Sequence, residues 1–131
     1  MLGIDTNVLV RFLVQDDEAQ FDKARKLIKR EVAAGSGVFM NQLGLLETEW
    51  VLRSRYSLPK NLIFEAISGL LEASDVRFED EPAIDEALFI WKESAADFAD
   101  CLVGVKNRRL GCRATASFDV KASKLPGFMT A

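Results

Sequence analysis

The sequence predicts a single α/β domain with a mostly parallel sheet, and three observations carry that prediction. Apolar residues recur at helical spacing in several segments, short apolar runs separate those segments, and turn formers mark the junctions. Short strands alternating with helices favour parallel pairing, because each return to the sheet edge needs a crossover. The 131 residues are 49% hydrophobic and 28% charged. That composition suits one core with a charged surface, spanning residues 1–131.

The elements follow in chain order. Residues 2–4 read as a short buried strand that ends at Asp5. Thr6 to Val14 has Val8, Leu9, Phe12 and Leu13 at helical spacing. Asp16 is expected to cap a second helix, which runs to about Ala34 and is closed by Gly35. Val38 to Met40 reads as a strand, and Asn41 opens a helix to about Tyr56. Pro59 to Ala73 is helical, Val76 to Phe78 a strand, and Pro82 to Glu93 helical again. Asp97 opens a helix to Leu110, stopped by Gly111. Cys112 to Ala116 is expected as a strand leading into Ser117-Phe118-Asp119, with Phe128-Met129 as a final edge strand. There is no linker, repeat or low-complexity tract.

Several function classes drop out on composition. The chain has no histidine, which removes histidine general bases, the serine and cysteine triads built on them, and histidine-bound zinc. Its apolar runs are too short to span a bilayer. The N-terminus carries neither a basic leader nor a small-residue cleavage site, so a cytoplasmic protein is expected. Cys101 and Cys112 fit no metal spacing and read as buried free thiols. The net charge of -3 weighs little, since an acidic active site would itself contribute to it.

What remains is an acidic constellation. Asp5 follows the first strand and Asp119 the late one. Glu47 lies in the helix after the second strand, and Asp97 and Asp100 lie in the first turn of the helix before the late strand. In open α/β sheets, sites form at the carboxyl ends of strands. Glu47 falls on a helical stripe with Leu43 and Trp50, and Asp100 on one with Asp97, Cys101, Gly104 and Val105, so both are expected to face inward. Glu49 is the alternative to Glu47 on the other side of that helix. Inward carboxylates that converge are costly unless a cation compensates them, and oxygen-only ligands suit Mg²⁺ or Mn²⁺, as one ion or two. Each acid also has a structural reading: Asp5 and Asp97 as helix caps, Asp119 as a turn residue. Asn7 and Ser117, two residues from Asp5 and Asp119, suit either hydrogen-bonded support of those carboxylates or local turn bonding. Arg11, Arg53 and Lys121 are candidate contacts to a phosphate backbone, or else ordinary surface cations.

Four segments together, IDTNVLVRFL, LLETEWVL, ADFADCLVG and TASFD, resemble the PIN-domain nucleases, and among them the VapC-like toxins of bacterial toxin–antitoxin pairs. The resemblance runs from Gly3 to Phe128. It implies a three-layer α/β/α fold around a parallel sheet of four or five strands, and an Mg²⁺- or Mn²⁺-dependent endoribonuclease. Carried over motif by motif, Asp5, Glu47, Asp100 and Asp119 match the four core acids, and Asp97 an additional acidic position. Asn7 and Ser117 match the supporting polar residues, although serine stands where threonine is commoner. The resemblance further implies a homodimer, an antitoxin partner, and products with 5′-phosphate and 3′-hydroxyl ends.

The expected function is therefore hydrolysis of RNA phosphodiester bonds by a metal-activated water in line with the leaving oxygen. Two other readings stand beside it. One is an aspartyl-phosphate phosphatase or receiver-like domain, disfavoured because Asp5-Thr6-Asn7 has no second acid two residues on. The other is a PIN-like module that binds RNA or protein without cleaving, against which the full set of acids speaks.

Overall fold

A computed structural model describes residues 1–131. The chain divides into two compact units, Met1–Glu81 and Pro82–Ala131, each built from helices and parallel strands.

The first unit runs β1 (Leu2–Gly3), α1 (Thr6–Val14), α2 (Glu18–Ala33), β2 (Val38–Met40), α3 (Gln42–Ser54), α4 (Lys60–Ala73) and β3 (Val76–Phe78). Its three strands pair in parallel in the order β1-β2-β3, with Leu2 opposite Val38 and Val38 opposite Val76. Each parallel pair needs a crossover, and the helices supply it. Leu9, Ile28, Val38, Met40, Leu45, Leu52, Ile63, Ile67 and Val76 are buried. Phe12 and Phe21 stack with ring centroids 6.2 Å apart, between α1 and α2. The chain enters β2 through Gly37 at φ +66°, where a Cβ would stand 2.9 Å from the Asp75 carbonyl oxygen. Only glycine meets both demands.

The second unit holds most of α5 (Glu81–Lys92), then α6 (Phe98–Arg109), β4 (Thr115–Ser117), α7 (Val120–Ser123) and β5 (Phe128–Thr130). Strands β4 and β5 are parallel, with Ser117 opposite Thr130. Ala83, Ile84, Ala87, Leu88, Trp91, Phe98, Cys101, Leu102, Val105, Ala122 and Leu125 are buried. Trp91 meets Phe98 at 5.3 Å between tilted rings, and Gly104 leaves room for the Phe128 ring against α6.

The α/β class, the parallel pairing and the five strands agree with the sequence reading. The strands form two sheets, of three and two. Four local expectations need correction. Strand β1 is exposed and not buried, with Leu2 38% exposed. The cap of α2 is Asp17, whose side chain accepts from the Gln20 amide at 3.0 Å. Asp16 is already taken by Arg11 at 3.0 Å and the Tyr56 hydroxyl at 3.1 Å. The late strand begins at Thr115, since the Cys112 amide donates to the Asn107 carbonyl at 2.9 Å and completes the end of α6. That loop leaves Cys112 exposed, while Cys101 is buried as expected. The one-turn helix α7 was not anticipated; Asp119 nucleates it.

Candidate active site

The first unit presents two of the acids. Asp5 ends the β1 segment in extended conformation (φ -99°, ψ 178°), and its Oδ1 accepts from the Val8 amide at 3.1 Å. The capping reading is thus correct, and it is compatible with a second role. One oxygen satisfies an orphan amide of α1; the carboxylate is exposed, and Oδ2 makes no hydrogen bond. Asn7 is exposed beside it and makes no side-chain bond to Asp5; it lines a groove between α1 and α2 with Val8, Arg11, Gln20 and Leu27.

Glu47 is also exposed, on the outer face of α3. The inward stripe expected for it is not there. Leu43 is 78% and Trp50 50% exposed, whereas Leu45, Thr48, Glu49 and Leu52 form the buried face. Glu49 tolerates that burial because Arg53 grips both its oxygens, Nε to Oε2 at 2.8 Å and Nη2 to Oε1 at 3.4 Å. A charge-assisted pair of this kind compensates a buried carboxylate. The buried glutamate is therefore a structural one, and the exposed glutamate is free to meet a ligand.

The second unit holds Asp97, Asp100 and Asp119. Asp97 stands at the N-cap of α6 without a side-chain capping bond, and it is exposed. Asp100, one turn in, is half-buried, and no donor or cation reaches its carboxylate. Burial pushes its pKa up from the ordinary aspartate value, and the negative charges of Asp97 and Asp119 add to the shift. Asp119 caps α7, its Oδ1 accepting from the Ala122 amide at 2.8 Å, while its own amide donates to Ser117 Oγ at 3.0 Å. Ser117 thus fixes the turn through the backbone, not through the carboxylate. Asp97, Asp119, Val120 and Lys121 line a concavity of 350 Å³.

The candidate cations differ in availability. Arg11 is held by Asp16 and lies 3.3 Å from the Tyr56 hydroxyl. Arg53 is held by Glu49. Arg108 and Arg109 both pair with Glu86. Lys121 is exposed, makes no ion pair, and faces the concavity of Asp97 and Asp119.

Within neither unit do three carboxylates stand close enough to chelate an ion by themselves. The donor set nonetheless fits a hard divalent cation. The unpartnered acceptors of the acidic residues are carboxylate oxygens, the one nearby thiol (Cys101) is buried beside Ser94, and no cation pairs with Asp100.

Residues 3–127 match the family model of the PIN domain. The chain belongs to the PIN domain family. The match spans both units and includes every acid of the constellation, which sets aside the receiver-like reading. A VapC ribonuclease from Aquifex aeolicus (strain VF5) is 27% identical over 127 residues, covering 97% of this chain and 93% of the relative. Membership of the PIN family accounts for the α/β class. No helix of the chain is long and apolar enough to cross a membrane.

Proposed function

We propose that this chain is a VapC-like endoribonuclease that depends on Mg²⁺ or Mn²⁺, folded as one PIN-like domain. The observation that carries the proposal is Asp100: a half-buried carboxylate with no donor or cation, its pKa raised by burial and by the charges of Asp97 and Asp119. A cation brought to such a group offsets the desolvation and like-charge repulsion that raise its pKa. Asp5, Glu47, Asp100 and Asp119 would hold one or two ions, with Asp97 adding negative charge. A cation bound there would lower the pKa of water and offset the charge that builds on the phosphoryl oxygens.

The remaining work belongs to the protein. Asp5 and Asp119 are held by the Val8 and Ala122 amides through one oxygen each, so their other oxygens are aimed before substrate arrives. Ser117 stiffens the turn that carries Asp119. Lys121, free of carboxylate partners, takes a backbone phosphate. Arg11 and Arg53 rank below it, since each must first release its own carboxylate. Water oxygen attacks phosphorus and gives up a proton to solvent, the bond from phosphorus to the 3′-oxygen breaks, and that oxygen takes a proton from solvent to leave as a hydroxyl. The similarity to a VapC ribonuclease supports an RNA substrate and an antitoxin partner. A homodimer and a cytoplasmic location complete the proposal.

The test is cleavage of single-stranded and structured RNA in Mg²⁺, Mn²⁺ and EDTA, with Asp5→Asn and Asp100→Asn beside the wild type. Cleavage should need the metal and vanish in both variants. Activity that persists in EDTA, or survives Asp5→Asn, overturns the proposal. Metal binding by calorimetry without cleavage of any RNA would favour a binding module instead.

A further inference from the structure

The turn from β4 to α7 carries an aromatic residue that the chemistry above does not use. Phe118 is 88% exposed, the most exposed of the large hydrophobic side chains. It stands between Ser117 and Asp119, and its setting is not loose. The Asp119 amide is bound to Ser117 Oγ at 3.0 Å, and Asp119 Oδ1 to the Ala122 amide at 2.8 Å. A large apolar ring on a hydrogen-bonded turn is thus held in water at a cost in solvation. Val120, on the other side of Asp119, is 67% exposed as well. Lys121 follows, unpaired and facing the concavity that Asp119 lines.

Within five residues the turn offers a bare ring, a carboxylate and a free cation. Consecutive Cα atoms lie about 3.8 Å apart, so the Cα atoms of Phe118 and Lys121, on either side of Asp119 in the chain, are at most about 11 Å apart. Single-stranded RNA is recognised by this combination: unstacked bases lie on aromatic faces while cations follow the phosphates. Phe89, 70% exposed, lacks this setting, since α5 contributes no candidate site residue.

The geometry points to Phe118 as a base-stacking residue that docks single-stranded RNA, with Lys121 on the adjoining phosphate; this rests on the nuclease reading above. The occupant is a single strand and not a duplex, because a base inside a duplex has both faces covered by its stacked neighbours. Phe118 thereby sets which conformation of RNA is accepted next to Asp119.

The experiment uses the full chain in EDTA, where binding is read without cleavage. Fluorescein-labelled 12-nucleotide oligouridylate and oligoadenylate, and a 12-base-pair RNA duplex, are titrated by anisotropy against wild type, Phe118→Ala and Phe118→Trp. Phe118→Ala should weaken single-strand binding about tenfold, in the range of one base–aromatic stack, and leave duplex binding unchanged. Phe118→Trp should bind at least as tightly as wild type, with indole fluorescence quenched by the single strands. Neither variant should alter the melting temperature, given the exposure of the ring.

Equal affinity of Phe118→Ala and wild type, or an unquenched indole, overturns the inference. If metal-dependent cleavage persists alongside that result, the nuclease reading stands without it. A wild type that binds no single-stranded RNA overturns the inference outright, and the cleavage assay then decides the nuclease reading separately. If Phe118→Ala converts a larger species to monomer in sedimentation without changing RNA affinity, a second copy of the chain covers the ring and the inference fails.

Discussion

Glu47 and Glu49 sit two residues apart on α3, and exchanging each for glutamine should separate chemistry from stability. Glu49 is 2% exposed and bound by Arg53 through two nitrogens. Glu49→Gln keeps the shape but replaces one acceptor by a donor that faces the guanidinium. Charged hydrogen bonds of this kind contribute roughly 1.5–3 kcal/mol. Arg53 is 45% exposed and can rehydrate, so the penalty falls short of that for a fully buried broken pair. The expected loss is about 1–2 kcal/mol, or a melting temperature lower by roughly 4–7 °C for a chain of this size. Glu47→Gln touches an exposed carboxylate with no partner and should stay within about 0.5 kcal/mol of wild type. Its effect belongs to cleavage, which should fall by about 100-fold or more. Thermal melting and RNA cleavage on both variants are the assay. A Glu49→Gln protein that melts like wild type, or a Glu47→Gln protein that cleaves like it, refutes the division of labour on α3.

Three further outcomes follow from the same structure. Gly104→Ala gains about 1 kcal/mol of helix propensity, but its Cβ would overlap Phe128 Cε1 and lie 2.9 Å from Cζ. Overpacking costs roughly 1–3 kcal/mol, so the variant should melt a few degrees lower, with Phe128→Leu restoring it. In EDTA, Asp100 binds its proton more tightly when folded than when unfolded, first because of burial and then because of Asp97 and Asp119. Stability should therefore fall as pH rises from the ordinary aspartate value through the raised one; Asp100→Asn should remove that slope and raise the melting temperature at neutral pH. Finally, a thiol reagent added to native protein should label Cys112 at once and Cys101 only on unfolding; equal labelling of the two contradicts their burial.

Much of the fold was legible because its signals are local. Asp5 and Asn41 cap helices with their own side chains, and glycines follow α2 and α6 where expected. The strands at Val38 and Val76 stood out as apolar runs between turns. What failed depended on tertiary partners. Asp16 and Asp17 are equally good caps in sequence, and only Arg11 and Tyr56, from elsewhere in the fold, decide between them. On α3 two apolar phases compete, Leu43 with Trp50 and Leu45 with Leu52. Spacing alone does not choose between them, because the pairing of Arg53 with Glu49 that lets the second phase be buried is not visible in it. The acids themselves were named from motif and position after strands. Their availability was not legible, nor was the exposure of Phe118, which the apolar character of the side chain argues against.

The caps at Asp5 and Asp119 carry a spectroscopic consequence. Each carboxylate reports through the amide it holds, Val8 for one and Ala122 for the other. A cation that draws electron density through the free oxygen must weaken the bond to the capped one, and the amide proton will register it. Two backbone resonances thus become built-in sensors, one in each unit of the chain. Titrating Mg²⁺ while following both would tell whether the two aspartates respond to one binding event or to two.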